Sequence, residues 1–295
     1  MRSRRSLSFV VAVVFVALVT VAAGAAAPPL LIAHRGGAGL WPENTMTAFR
    51  SADALFSAAG VAGWLELDTQ FTSDHVLVVM HDATLDRTTN CSGPLIAKPA
   101  AEVTQCDADP DPHTFDPVPT LQQVVTEGRS AGWRLMIEIK DIPGEPGFDV
   151  DCHELADALI ATVNRAHFPT KHLIVESFWP LCLDRLEKRA PAIPTLLLTS
   201  SSTVNDVSGK STPVPLGFTL TLNTVFATLR GYEYASPDQD TIDLIGPVVK
   251  VAHLLGRKVV AWTVDDAPRM SELAGIGVDG IISNRPDLLI ATLAR

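Results

Sequence analysis

Basic side chains are scarce in this chain, with 23 lysines and arginines against 33 aspartates and glutamates and a net charge of −10. A sequence-independent grip on the phosphates of nucleic acid needs the opposite balance, which argues against a nucleic-acid partner. Charged residues make up only 19% and apolar ones 47%, so the disorder signature of high charge with low hydrophobicity is absent. There is no collagen-like, heptad or longer repeat. No C-x-x-C spacing occurs among the four cysteines, which argues against a cysteine zinc site. After the N-terminal leader no change of composition marks a second domain.

Residues 1–27 differ in kind. Arg2, Arg4 and Arg5 precede an almost wholly apolar run from Phe9 to Ala23, and Ala-rich sequence leads to Pro28. This reads as a secretory signal peptide cut after Ala25 or Ala27, leaving residues 28–295 as an exported domain with no stable membrane insertion. The alternative is an uncleaved anchor, for which the apolar core is short against the ~20 residues of a span. Export makes disulfides plausible. Closeness in sequence favours Cys91–Cys106 and Cys152–Cys182 among the three connectivities.

From Leu30 onward, short apolar runs alternate with amphipathic stretches. Expected strands are Leu30–Ala33, Trp64–Thr69, Val76–Met80, Arg134–Ile139, His172–Ser177, Thr195–Thr199, Tyr232–Ser236, Lys258–Val264 and Gly280–Ser283. Asn44 or Thr45 caps the first helix, Thr120 and Gln123 form a capping box, and Pro247 opens a late helix. The short segment Thr69–His75 cannot hold a parallel crossover, which needs about a dozen residues. The second and third strands must therefore pair antiparallel, leaving eight in alternation with helices. This argues for a (β/α)8 TIM barrel, distorted by an antiparallel hairpin and a short excursion, 82–118, after it. A turn centred on Asp74-His75 would set Asp68 opposite His81.

Strand C-terminal ends carry the chemistry of such barrels. His34-Arg35-Gly36-Gly37 follows the first strand, offering a proton-transfer group, a phosphate fork and a pliable backbone. Glu66 and Asp68 lie on one face of an apolar strand, and Glu138 sits in another. Carboxylates so placed repel unless something offsets their charge, as a hard divalent cation, Mg²⁺ or Ca²⁺, does; singly, each could instead form a salt bridge, for instance Glu138 with a barrel lysine. His81-Asp82 ends the hairpin and supplies a second acid–base group.

His34-Arg35-Gly36, Pro42-Glu43-Asn44-Thr45, Glu66-x-Asp68, His81-Asp82, Leu85-x-Arg87-Thr88-Thr89, Ile137-Glu138-Ile139-Lys140, Trp262-Thr263-Val264 and Gly277-Val278-Asp279-Gly280 occur in that order. Together they resemble the glycerophosphodiester phosphodiesterases. The resemblance implies a TIM barrel, one divalent cation and hydrolysis of small glycerophosphodiesters. It implies Glu66, Asp68 and Glu138 as metal ligands, and His34 and His81 as the acid–base pair. Arg35 and Lys140 match phosphate contacts, Glu43 a residue near metal and glycerol, and Trp262 a residue against the glycerol backbone. Two departures stand out. Trp64 replaces a small residue, and Ser283-Asn284 replaces a common Thr-Asp, a loss expected to affect only substrate detail. A lysolipid-directed or cyclising enzyme on the same site, a metal-independent phospholipase C-like barrel and a non-catalytic phospho-ligand-binding barrel are the rival readings.

Overall fold

β1 (Leu30–Ala33), β2 (Trp64–Phe71), β3 (Leu77–Val79), β4 (Leu135–Ile139), β5 (Leu173–Ser177), β6 (Thr195–Thr199), β7 (Tyr234–Pro237), β8 (Lys258–Ala261) and β9 (Gly280–Ser283) form one sheet. The sheet belongs to a computed structural model that describes residues 27–294 except 110, 112, 142–143, 145–146, 201–226, 228 and 245–247. The leader and Pro247 thus lie outside the described residues, apart from Ala27. No described helix is long and apolar enough to cross a membrane.

The strands run β1-β9-β8-β7-β6-β5-β4-β2, and β1 pairs with β2 to close the ring, all in parallel. The expected eight-stranded barrel is the fold. β2 reaches above the ring. Its lower residues Trp64 and Leu65 pair with β1, and its upper residues Thr69 to Phe71 pair antiparallel with β3. The hairpin therefore stands on the barrel rim.

Its register differs by one from the expected pairing. Thr69 faces Val79, and Met80 N donates to Asp68 O at 3.1 Å. The turn runs from Thr72 to Val76 and is centred on Asp74, with Val76 N donating to the Thr72 hydroxyl at 3.1 Å and His75 in the left-handed region at φ 56°. His81 lies past the ladder. Gln70 Nε2 donates to the carbonyls of Met80, His81 and Asp82 at 3.0, 2.8 and 3.0 Å, curling the chain there over the rim.

Alternation divides the apolar side chains. Ile32, Trp64, Met136, Ile174, Leu196, Val260 and Ile282 fill the barrel interior. Leu65, Leu67, Leu135, Ile137 and Val175 point outward against the helices. In chain order the helices begin with α1 (Met46–Ala58), α2 (Ala100–Val103) within the excursion, α3 (Leu121–Ala131), α4 (His153–Arg165) and α5 (Pro180–Arg189). Thr45 caps α1 by accepting from Ala48 N, so of the two cap candidates Asn44 is left for other work. The excursion has its own small core of Met80, Leu85, Leu95, Val103 and Val118. Cys91–Cys106 staples it, and Cys152–Cys182 ties the start of α4 to the first turn of α5, both as expected.

The capping box at the start of α3 is formed, with Thr120 accepting from Gln123 N at 3.2 Å. Thr120→Ala is expected to lower stability by about 1 kcal/mol, read from the urea midpoint with an unchanged m-value.

Candidate active site

The C-terminal ends of β2, β4 and β5 bring acids together. Asp68 is in register with Glu138, and Glu138 with Glu176, so all three point the same way. Glu66, two residues before Asp68, joins them. All four are buried, above a floor that includes Met136 and Ile174. Carboxylate oxygens of Glu66, Glu138 and Glu176 lie within 4.8 Å of one another. Glu66 Oε1, Asp68 Oδ1 and Glu176 Oε2 are buried without a hydrogen bond, and Glu138 Oε1 is buried with only the Lys140 ammonium beside it. Orphaned, like-charged oxygens of this kind fit a hard cation.

Glu176 was not among the acids singled out from sequence. Its signal was the same as theirs, one acid inside the apolar strand Leu173-Ile174-Val175-Glu176-Ser177. Asp68 has a second set of neighbours. Asn44 Nδ2 donates to its Oδ2 at 2.8 Å, Arg35 Nε lies 3.5 Å from Oδ2, and Lys140 Nζ lies 3.9 Å from Oδ1. Lys140 Nζ is also 3.2 Å from Glu138 Oε1.

These environments split the carboxylates. Burial pushes Glu66 and Glu176 well up, each helped by neighbouring acids. Burial takes Glu138 up to about 8, with Lys140 pulling against it. Asp68 is pushed up by burial too, but Lys140, His81 and Arg35 outweigh that and hold it low.

Both histidines face this cluster and are held from behind. Asn284 Nδ2 donates to Asp265 Oδ2 at 2.7 Å, which turns its Oδ1 to His34 Nδ1, 2.7 Å away. Nδ1 of His34 must then carry the proton, leaving Nε2 as the acceptor, 3.9 Å from Glu66 Oε2. Burial, and then the Arg35 charge, lowers His34 to about 4. The expectation that Asn284 affects only substrate detail is corrected here, because its amide orients His34. His81 Nδ1 donates to Asp82 Oδ1 at 2.6 Å, and its Nε2 accepts from Lys140 Nζ at 3.1 Å. Burial lowers His81 as well, although Asp68 opposes this.

Arg35 sits in the left-handed region at φ 51°. That bend aims its backbone N–H at Glu66 Oε2, 2.6 Å away, while Nη1 donates to Glu43 Oε1 at 2.9 Å. Gly36 follows at φ 79°, where a Cβ would meet that of Ala48 at 2.8 Å. Glu43 joins Arg35 to Arg87. Trp262 Nε1 donates to Ser236 O at 2.8 Å, and its ring meets Phe178 edge-on at 5.4 Å. Phe178 in turn lies 5.8 Å beneath Lys140 Nζ. Beside the site an open groove of ≈ 850 Å³ runs between residues 38–43 and the excursion, with Glu43 and Arg87 in its wall.

The glycerophosphoryl diester phosphodiesterase family matches residues 34–288. The chain belongs to that family. A glycerophosphodiester phosphodiesterase of Caldanaerobacter subterraneus is 31% identical over 265 residues, covering 88% of this chain and 96% of its own. One from Bacillus subtilis is 28% identical over 276 residues, covering 88% and 84%. These relatives are phosphoric diester hydrolases, and this family member is an enzyme of that class. An Oleispira antarctica phosphodiesterase, solved with the product sn-glycerol-3-phosphate, superposes with TM-score 0.73 at 24% identity over 91% of this chain and 98% of that one. A glycerophosphodiester phosphodiesterase from Agrobacterium tumefaciens gives 0.67 at 23% identity over 89% and 99%. At such identities the two structures speak for the shared barrel.

A pH test follows for the chelated protein. Glu138, raised from 4.5 to about 8, is protonated when folded and ionised when unfolded across that window. The unfolded chain then binds fewer protons, and stability falls as pH rises. His34, lowered from 6.5 to about 4, acts oppositely but only below pH 6.5. Urea titrations in chelator should therefore show stability falling between pH 6.5 and 8, and Glu138→Gln should flatten that slope.

Proposed function

We propose that the chain hydrolyses glycerophosphodiesters to glycerol 3-phosphate and an alcohol, with a divalent cation, Mg²⁺ or Ca²⁺, held by Glu66, Asp68 and Glu138 and joined by Glu176. The observation that carries this reading is the set of four buried carboxylates with orphaned oxygens, faced by two histidines. When bound, the cation supplies positive charge against the phosphoryl oxygens. Arg35 and Lys140 add to it from the protein side, by charge-assisted contact with the substrate phosphate. One histidine takes the proton of the attacking hydroxyl, of water or of the substrate's own glycerol. The other, carrying a second proton on Nε2 when it acts, gives that proton to the departing alcohol as its P–O bond breaks. Attack by the glycerol hydroxyl yields a cyclic phosphate that water then opens. Trp262 and Phe178 offer an apolar wall to the glycerol backbone.

The product named for the Oleispira antarctica structure is the one expected here. The groove of ≈ 850 Å³ supports a second reading, release of the head group from lysophospholipids, because it leaves room for a larger substrate. Export by residues 1–27 is supported by the two disulfides, which belong to oxidising compartments.

The purified protein on glycerophosphocholine should release glycerol 3-phosphate and choline, stop in chelator and recover with added Mg²⁺ or Ca²⁺. Turnover of lysophosphatidylcholine alone would move the assignment to the second reading. His34→Ala and His81→Ala should each lower kcat by roughly 10²–10⁴-fold while circular dichroism stays unchanged. Near-normal kcat in either variant would remove that histidine from the chemistry.

A further inference from the structure

Arg87 lies in the excursion, five residues after Asp82, and its guanidinium is shared between two carboxylates. Nε and Nη2 donate to Asp82 Oδ2 and Oδ1 at 2.6 and 2.9 Å. Nη1 and Nη2 donate to Glu43 Oε2 and Oε1 at 2.9 and 2.8 Å. Asp82 Oδ1 is the oxygen that receives the Nδ1 proton of His81, and Glu43 Oε1 the one that receives Nη1 of Arg35. An unbroken line of charge-assisted hydrogen bonds thus runs from His81 to Arg35, with Arg87 at its centre.

The middle of this line demands a guanidinium. Its planar fork engages a carboxylate on each of two edges at once, whereas an ammonium is a single point charge. Asp82 needs such a clamp, because it follows His81 directly and is a quarter exposed. Left alone, its carboxylate would exchange the imidazole for water. Surface ion pairs are usually weak, but here two bidentate pairs share one cation. The far anchor, Glu43, belongs to the segment between β1 and α1, so the line also pins the excursion to the barrel.

We infer that Arg87 is a positioning residue for His81, holding Asp82 so that Nδ1 of the imidazole stays protonated and Nε2 faces the site. The inference rests on His81 being an acid–base group, as proposed above.

The test is a set of steady-state measurements on Arg87→Ala, Arg87→Lys, Asp82→Ala and the Arg87→Ala/Asp82→Ala double variant. Arg87→Ala should lower kcat roughly 10- to 100-fold, and Arg87→Lys should stay well below wild type despite its charge. Because Arg87 acts through Asp82, the double variant should be no slower than Asp82→Ala. Arg87 is 46% exposed and lines the open groove, so ethylguanidinium in the buffer should restore part of the activity of Arg87→Ala and none of that of the double variant. Wild-type kcat in Arg87→Ala or Arg87→Lys would overturn the inference, as would losses that multiply in the double variant. Should Arg87→Ala fail to fold, Arg87→Lys decides. If His81→Ala itself retains activity, the acid–base reading fails first; if only the Arg87 variants do, that reading stands and this inference falls.

Discussion

Four carboxylates buried in one barrel mouth repel one another, and burial removes the water that would screen them. Much of the upper half of this molecule answers that constraint. Lys140 rises from the end of β4 to stand beside Glu138 and Asp68. The left-handed turn at Arg35 turns a backbone N–H onto Glu66 and brings a guanidinium beside Asp68. Asn44, also left-handed at φ 61°, spends its amide on Asp68. Yet Glu66 Oε1, Asp68 Oδ1 and Glu176 Oε2 have no hydrogen bond, and Glu138 Oε1 meets only the Lys140 ammonium. These oxygens are the observation on which the proposed cation site rests.

The histidines obey a related logic. Each is held through Nδ1 from outside the acid cluster, His34 by Asn284 backed by Asp265 and His81 by Asp82 backed by Arg87. The two devices differ chemically, a neutral amide in one and a carboxylate in the other. They share a result, because the tautomer is set by groups that need not touch substrate. Both supports come from chain segments above the strands, where loops can vary while the barrel beneath stays packed. The excursion is firm enough for this role because it has its own small core and disulfide.

Legibility in the sequence followed the range of the interactions. The apolar runs, the capping box and the short hairpin connection are local, and the barrel could be read from them. Glu66, Asp68 and Glu138 were legible because an acid inside an apolar strand is conspicuous. Glu176 carries the same mark but lies in a strand with no motif around it, and only the register of β4 with β5 sets it beside Glu138. The hairpin pairing missed by one residue because Thr72 closes its turn through a side-chain hydrogen bond, a preference that alternation does not encode. Asn284 looked like a lost carboxylate, since the partner that orients it, Asp265, is 19 residues away in sequence.

By itself the sequence determined the fold class, the two disulfide pairs and most of the residues around the site. The fold class, the disulfide pairs and the acids and histidines follow from periodicity, spacing and residue type, which are properties of the chain read in order, whereas Glu43, Lys140 and Trp262 followed from the family resemblance. Tertiary structure alone decided that a fourth acid joins the cluster, that Asn284 and Asp82 set the two imidazole tautomers, and that Glu43 and Arg87 bridge the mouth. The reason is physical. Burial and hydrogen-bond geometry are relations between distant segments, and they exist only once the ring of strands has closed and placed their ends at one level.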